Sequence, residues 1–187
     1  MSIKVQIGNI ASVSSGVYYK DIPDGGVNYL QVRDFNEDKE AVYSTVELNI
    51  KTRKHLLSEG DLLFAAKGMY NFCTIFQESI GLSIASSSFL VLKIKDIKMV
   101  IPEYLCWFLN RSDTISSLKN CAVGSSIPSI GKSVIEACQV DIPTIAIQQK
   151  IMEIVQLQQK EQLLYQKIIN RRDILIQKQI IEMIQNK

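Results

Sequence analysis

From Thr144 to Lys187 the chain contains neither glycine nor proline, and ten glutamines lie between Gln148 and Gln185 among isoleucine, leucine and lysine. The last glycine is Gly131 and the last proline is Pro143. Nothing there breaks a helix, so the stretch is expected to form one of about 40 residues, roughly 60 Å long at about 1.5 Å per residue. A domain built from the rest of the chain spans only roughly 30–35 Å. A rod that long needs a partner helix to cover its apolar side.

Two adjacent stripes make up that side. One runs Ile154, Leu157, Glu161, Leu164, Ile168, Arg171, Leu175; the other runs Val155, Gln162, Ile169, Ile176, Met183, with Tyr165 and Ile180 beside it. This broad, interrupted face suits an antiparallel helix pair better than a strict two-stranded zipper. Ile154, Leu157, Leu164, Ile168, Leu175 and Ile176 are the candidate pairing residues.

Before Pro143 the pattern is mixed. β-branched and aromatic runs at 25–35, 46–51, 61–67, 73–77 and 89–95 are separated by turn residues, as strands of a mixed or antiparallel sheet would be. Between Ile101 and Ala122, Pro102 stands at a first-turn position with Tyr104, Leu105, Phe108 and Leu109 at helical spacing, and Ser112-Asp113 offers a second cap. The expected class is α+β, with residues 1–146 as one domain and 147–187 as the spacer and pairing helix.

A chain of 187 residues with 47% hydrophobic and 21% charged side chains has the composition of a globular protein and room for one domain with an appendage. No membrane-spanning or leader-like run is apparent, so a cytoplasmic location is expected. The formal charge of +2 excludes a partner held by bulk electrostatics. Residues 148–187 carry 7 Lys/Arg and 4 Asp/Glu, a net of +3, which leaves 14 and 15, a net of −1, for residues 1–147. Any nucleic-acid site on the domain must therefore be a sorted local patch.

Catalytic patterns fail on inspection. Gly131-Lys132-Ser133 ends like a phosphate-binding loop, but Ser126 stands where that loop needs its first glycine and Pro128 removes an N–H donor. Asp24 with Glu37, Asp38 and Lys39 satisfies a loose magnesium-nuclease pattern, yet both segments read first as polar turns. Cys73, Cys106, Cys121 and Cys138 have no metal-ligand spacing and only His55 to join them, so they are expected to be reduced thiols without zinc. His55, the only histidine, lies in the polar run Lys51-Thr52-Arg53-Lys54-His55, which suits a solvated or phosphate-facing patch better than a charge relay. No complete active site or cofactor motif emerges.

What remains is a set of polar loops at strand ends. Lys67-Gly68-Met69-Tyr70-Asn71 follows one apolar run, and the loop from Asn120 to Ser133 carries Gly124, Ser125, Ser126, Lys132 and Ser133. Such groups can donate to phosphate or read base edges. Arg33, Lys51, Arg53, Lys54, Lys67, Tyr70, Asn71, Ser125, Ser126, Lys132 and Ser133 are the candidate DNA contacts.

Several segments in order complete a familiar pattern: Tyr29 to Phe35, Gly60-Asp61-Leu62-Leu63-Phe64-Ala65-Ala66-Lys67-Gly68, Ala85 to Phe89, Ile101-Pro102-Glu103-Tyr104-Leu105-Cys106-Trp107-Phe108-Leu109-Asn110, Gly124-Ser125-Ser126-Ile127-Pro128-Ser129-Ile130, and Asp141-Ile142-Pro143 followed by Gln148-Gln149-Lys150-Ile151. Together they resemble the specificity (S) subunit of type I restriction-modification enzymes. That resemblance implies a target recognition domain reading one half of a split DNA site, followed by a long helix that pairs antiparallel and carries methyltransferase (M) and restriction (R) subunits. It implies a non-catalytic chain without cofactors of its own, since ATP, S-adenosylmethionine and magnesium would belong to those partners. The chain resembles half of such a subunit, which points to a homodimer through its helix. Thr144, Ile145 and Ala146 replace later prolines of the family's hinge, so this hinge is expected to be stiffer and more helical. A protein-interaction adaptor that uses the helix without binding DNA is the alternative.

Overall fold

The computed structural model describes residues 2–35, 43–68, 70–121 and 129–185. In chain order its elements are β1 (Ile3–Gln6), α1 (Ile7–Ile10), β2 (Ala11–Ser15), β3 (Gly26–Leu30), β4 (Ser44–Glu47), α2 (Ile50–Arg53), β5 (Leu62–Ala65), β6 (Cys73–Ile75), β7 (Ser83–Ala85), β8 (Phe89–Ile94), α3 (Pro102–Asn110), α4 (Ser112–Asn120), α5 (Lys132–Ala137), β9 (Gln139–Ile142) and α6 (Ile145–Gln185). The class is α+β with a long terminal helix. The chain divides into two compact units, one ending at Gln148 and the other comprising Gln149–Lys187.

Among the described residues the first unit has three sheets. An antiparallel sheet of order β2-β8-β5-β6 carries the main core, a mixed sheet runs β4-β3-β7, and β1 pairs with β9. The central strands β5 and β8 are continuous apolar runs because both their faces are buried. Alternation sends Leu63, Ala65, Phe89 and Val91 toward Leu30 of β3 and Ala85 of β7, forming the core between the two larger sheets. The opposite face of the mixed sheet buries Val27, Tyr29, Val46 and Ile84 beneath Val17, Tyr19 and Leu56.

Two expected strands stop early because side chains capture the backbone. After Leu30, the Asp34 carboxylate accepts the Gln31 N–H at 2.7 Å and the chain turns into a 3₁₀ helix over Val32–Phe35. After Glu47, Asn49 accepts the N–H groups of Lys51 (2.9 Å) and Thr52 (3.0 Å), while the Thr52 hydroxyl accepts the Asn49 N–H at 2.8 Å. That capping box turns Ile50 and Lys51, expected to end a strand, into the start of a helix. The cap expected at Ser112-Asp113 also moves: Arg111 is the N-cap of α4 in extended conformation, with Asp113 in the first turn.

Gly16 shows how tightly the layers approach. Its N–H donates to the Phe89 carbonyl and the Val17 N–H to that of Ala85, both at 2.9 Å, and an added Cβ would overlap the Ser86 and Ala85 carbonyl oxygens. Gly16→Ala is therefore expected to cost about 2–4 kcal/mol, since the obstacle is paired backbone that cannot move aside. A urea midpoint equal to that of the parent chain would refute this.

Candidate nucleic-acid interface

The C-terminal ends of β3, β5 and β7 and the N-terminal ends of β6 and β8 share one end of the first unit, as their registers require. Backbone bonds lace the connections there: Ser86 N–H to Leu30 carbonyl, Ala66 N–H to Ser88 carbonyl and Ile130 N–H to Ala66 carbonyl, each at 2.9 Å. Lys67 and Ser129 form an antiparallel bridge. The two loops singled out in the sequence, 62 positions apart from Lys67 to Ser129, are thus neighbours.

Under this end, Phe35, Phe72 and Phe89 pack ring against ring with centroids 5.5 to 6.2 Å apart. The rings give the loop a rigid floor. Gly68 takes a φ of 103°, a conformation that side chains disfavour and glycine tolerates. Lys67 is exposed and Tyr70 is 81% exposed. Asn71 is half-buried and commits an amide hydrogen to the Ala65 carbonyl at 2.8 Å, closing the loop from inside.

Arg33 reaches this end from the 3₁₀ turn. Its guanidinium donates to the Ser44 hydroxyl at 3.2 Å and lies 3.8 Å from the Asp34 carboxylate, with its side chain 66% exposed. Burial pushes the Asp34 carboxyl up from its ordinary value, against the lowering pull of the Gln31 N–H and of Arg33. An arginine oriented at its base and open at its tip can meet a phosphate or a guanine edge.

Lys132 and Ser133 open α5, close along the chain to Ser129. Lys132 pairs with Glu136 one turn on at 3.5 Å, an exposed contact that leaves the ammonium available. Ser133 lines a cavity of about 630 Å³ with Lys4, Arg111, Asp113, Ser117 and Asp141. Arg111 is fixed there by Asp113 at 2.6 Å and stacks over Trp107, 5.5 Å from the ring centre. Ser125 and Ser126 lie outside the described residues.

Because Gly26 pairs with Glu47, α2 leaves from the end where β3 begins, whereas Arg33 leaves from the end where β3 stops. The five residues of β3 separate the two ends by about 17 Å at about 3.4 Å per residue. Lys51, Arg53 and Lys54 are all exposed, and the chain after α2 returns along β7, where Leu56 bridges Ile84 and Lys54 lines a small pocket with Gly16 and Ala85. Ser129 lies within the loop expected to make contacts but was not among the individually named candidates, and its bridge to Lys67 brings it to this end.

Asp24 sits in a turn with φ of 55°, and Glu37, Asp38 and Lys39 lie outside the described residues. Among the described residues no group of three or more His, Cys, Asp or Glu side chains gathers as metal ligands. Among the described residues no helix is long and apolar enough to cross a membrane. In the second unit Ile154, Leu157, Leu164, Ile168, Leu175 and Ile176 are 44 to 65% exposed. At about 100° per residue they fall within roughly a third of the helix circumference.

The fold is that of solved S subunits. The type-I restriction-modification system S subunit from M. genitalium superposes with a TM-score of 0.61 at 14% identity, over 84% of this chain and 38% of that one. The HsdS subunit from Thermoanaerobacter tengcongensis gives 0.61 at 13%, over 85% and 37%. A structure described as the basis of complex assembly and conformational transition of the type I R-M system gives 0.57 at 13%, over 87% and 40%. The chain thus spans about two-fifths of the length of these relatives. No curated protein matches it. Residues 4–171 match the type I restriction modification DNA specificity domain, and the chain belongs to that family.

Proposed function

We propose that this chain is a DNA-reading specificity subunit of a type I restriction-modification system, contributing one half of a bipartite site per copy. The observation that carries this reading is the joining of the Lys67–Asn71 loop to Ser129, beside Arg33, within a chain of the specificity-domain family. Lys67, Tyr70, Arg33, Lys132 and Ser133 would touch phosphates and base edges, with Asn71 shaping the loop. Lys51, Arg53 and Lys54 would serve as further phosphate contacts. Two copies paired through Ile154, Leu157, Leu164, Ile168, Leu175 and Ile176 would read an inverted repeat with a gap set by the helices. Methyltransferase and restriction subunits would dock on the assembly and supply the catalysis, with ATP, S-adenosylmethionine and magnesium.

Base-by-base methylation mapping in cells holding this chain with a partner methyltransferase is expected to show a symmetric, split motif. An unsplit or asymmetric motif that depends on this subunit alone would overturn the paired-reader reading. In anisotropy titrations of the complex, Lys67→Ala is expected to weaken binding to specific and random duplexes alike. It should also lower the slope of log K against log salt by about one. An unchanged slope would remove Lys67 from the phosphate contacts.

A second reading, a protein-interaction adaptor, is favoured by the 14 Lys/Arg against 15 Asp/Glu of residues 1–147. It predicts sequence-insensitive binding abolished by moderate salt.

A further inference from the structure

Cys73 opens β6, the edge strand of the main sheet, and Cys106 lies in α3. The Cys106 thiol donates to the Cys73 carbonyl oxygen at 3.4 Å, and the two thiols lie near enough to influence each other's ionisation. Asn110, one turn along α3, locks the pair together. Its carbonyl accepts the Cys73 N–H and its amide donates to the Cys73 carbonyl, both at 2.8 Å. The same amide nitrogen lies 3.6 Å from the Cys106 sulfur. Neither thiol belongs to the proposed DNA contacts. Cys73 is 5% exposed, whereas Cys106 is half-buried and is the less enclosed residue of the two.

We propose that Cys73 and Cys106 form a peroxide-responsive dithiol that closes to a disulfide bracing α3 against β6. The Cys106 thiolate attacks one oxygen of a hydroperoxide. A sulfur–oxygen bond forms, the oxygen–oxygen bond breaks, and the leaving hydroxide or alkoxide takes up a proton. The Cys73 thiol then attacks the sulfenic sulfur, the disulfide forms, and the hydroxyl leaves as water with the Cys73 proton. Two thiols are oxidised and one peroxide is reduced. The division of labour follows from the surroundings. The neighbouring Cys73 thiol lowers the Cys106 thiol from its ordinary value, while burial pushes Cys73 up. The Asn110 amide adds a donor aimed at the Cys106 sulfur. The product ties α3 to the strand that starts two residues beyond Asn71, the residue that closes the Lys67–Asn71 loop on Ala65.

Cys121 and Cys138 line the separate cavity beside α4 and serve as an internal control. The test treats the full chain, and its Cys121→Ser/Cys138→Ser variant, with hydrogen peroxide at neutral pH, followed by alkylation and peptide mapping without reductant. The variant is expected to lose both remaining titratable thiols and to yield one linked peptide pair containing Cys73 and Cys106, reversed by dithiothreitol. Cys106→Ser in the parent chain is expected to abolish that pair. If the variant fails to fold, the linked pair is read in the parent chain. Oxidation of Cys106 to sulfinic acid without a link, a link from Cys121 to Cys138 only, or two thiols that survive peroxide each overturn the proposal.

Discussion

Gln148→Leu is expected to destabilise the first unit by about 3–5 kcal/mol, lowering its urea midpoint with little change in slope. Gln148 is fully buried, and its side-chain amide is satisfied on both sides. The carbonyl accepts the Ile101 N–H at 3.0 Å, and the amide nitrogen donates to Met99 at 2.9 Å and Pro143 at 2.8 Å. Leucine fills comparable space but strands three backbone groups, each costing about 1–3 kcal/mol when left unpaired away from water. Partial relaxation brings the sum to the range given. Trp107, the only tryptophan, lies in α3 of the same unit and reports its unfolding by fluorescence. A loss below about 1 kcal/mol would show that Gln148 does not fasten the start of α6 to the Met99–Ile101 segment.

Gln148 belongs to the segments that carried the family resemblance, and so do Asp61 and Asn110. All three prove to hold the scaffold. Asp61 accepts the Ser58 N–H at 2.9 Å and pairs with Lys93 at 2.9 Å, fixing the entry to β5. Asn110 uses its amide as a strand would, satisfying both backbone groups of Cys73 at the open edge of the main sheet. Shared sequence therefore revealed the family and its fold, while the candidate DNA contacts fall both inside those segments, as Arg33 and Lys67 do, and outside them, as Lys51, Tyr70 and Lys132 do, so the shared pattern does not single them out. Lys67 and Tyr70 were legible as a polar loop after an apolar run, but the adjacency of Lys67 to Ser129 depends on long-range pairing that no local pattern encodes. The strands read from sequence were those with strong apolar runs. β1 and β9 escaped because they are four-residue strands paired across most of the chain, and β7 because it is three residues long. Elsewhere a local side chain overruled the pattern, as Asp34 did after Leu30 and Asn49 with Thr52 after Glu47. The α6 segment was the most legible because forty residues without glycine or proline leave the backbone one regular choice, and it forms from Ile145 to Gln185.

The helix also carries the other large expected effect. Leu164→Glu/Ile168→Glu is expected to turn a dimer of the full chain into a monomer of 21.1 kDa at micromolar concentration, measured by light scattering. Leu164 and Ile168 are 59% and 56% exposed, one turn apart in the middle of the helix. In a two-fold pair each is buried twice, so four apolar side chains are removed from the seam. At about 1.5–3 kcal/mol for each fully buried side chain, roughly 6–12 kcal/mol of association is at stake. That raises the dissociation constant by at least about four orders of magnitude, since about 1.4 kcal/mol is tenfold. Burying the new carboxylates would cost more still. Glutamate is a good helix former, so α6 itself should persist in circular dichroism. The first unit should keep its urea midpoint, because both substitutions lie beyond Gln148. A parent chain that is already monomeric, or a variant that remains dimeric, would remove this face from the pairing seam. Methylation in the variant separates spacing from reading: loss of the split motif with DNA affinity per copy retained would show that α6 sets the gap while the loops read the bases.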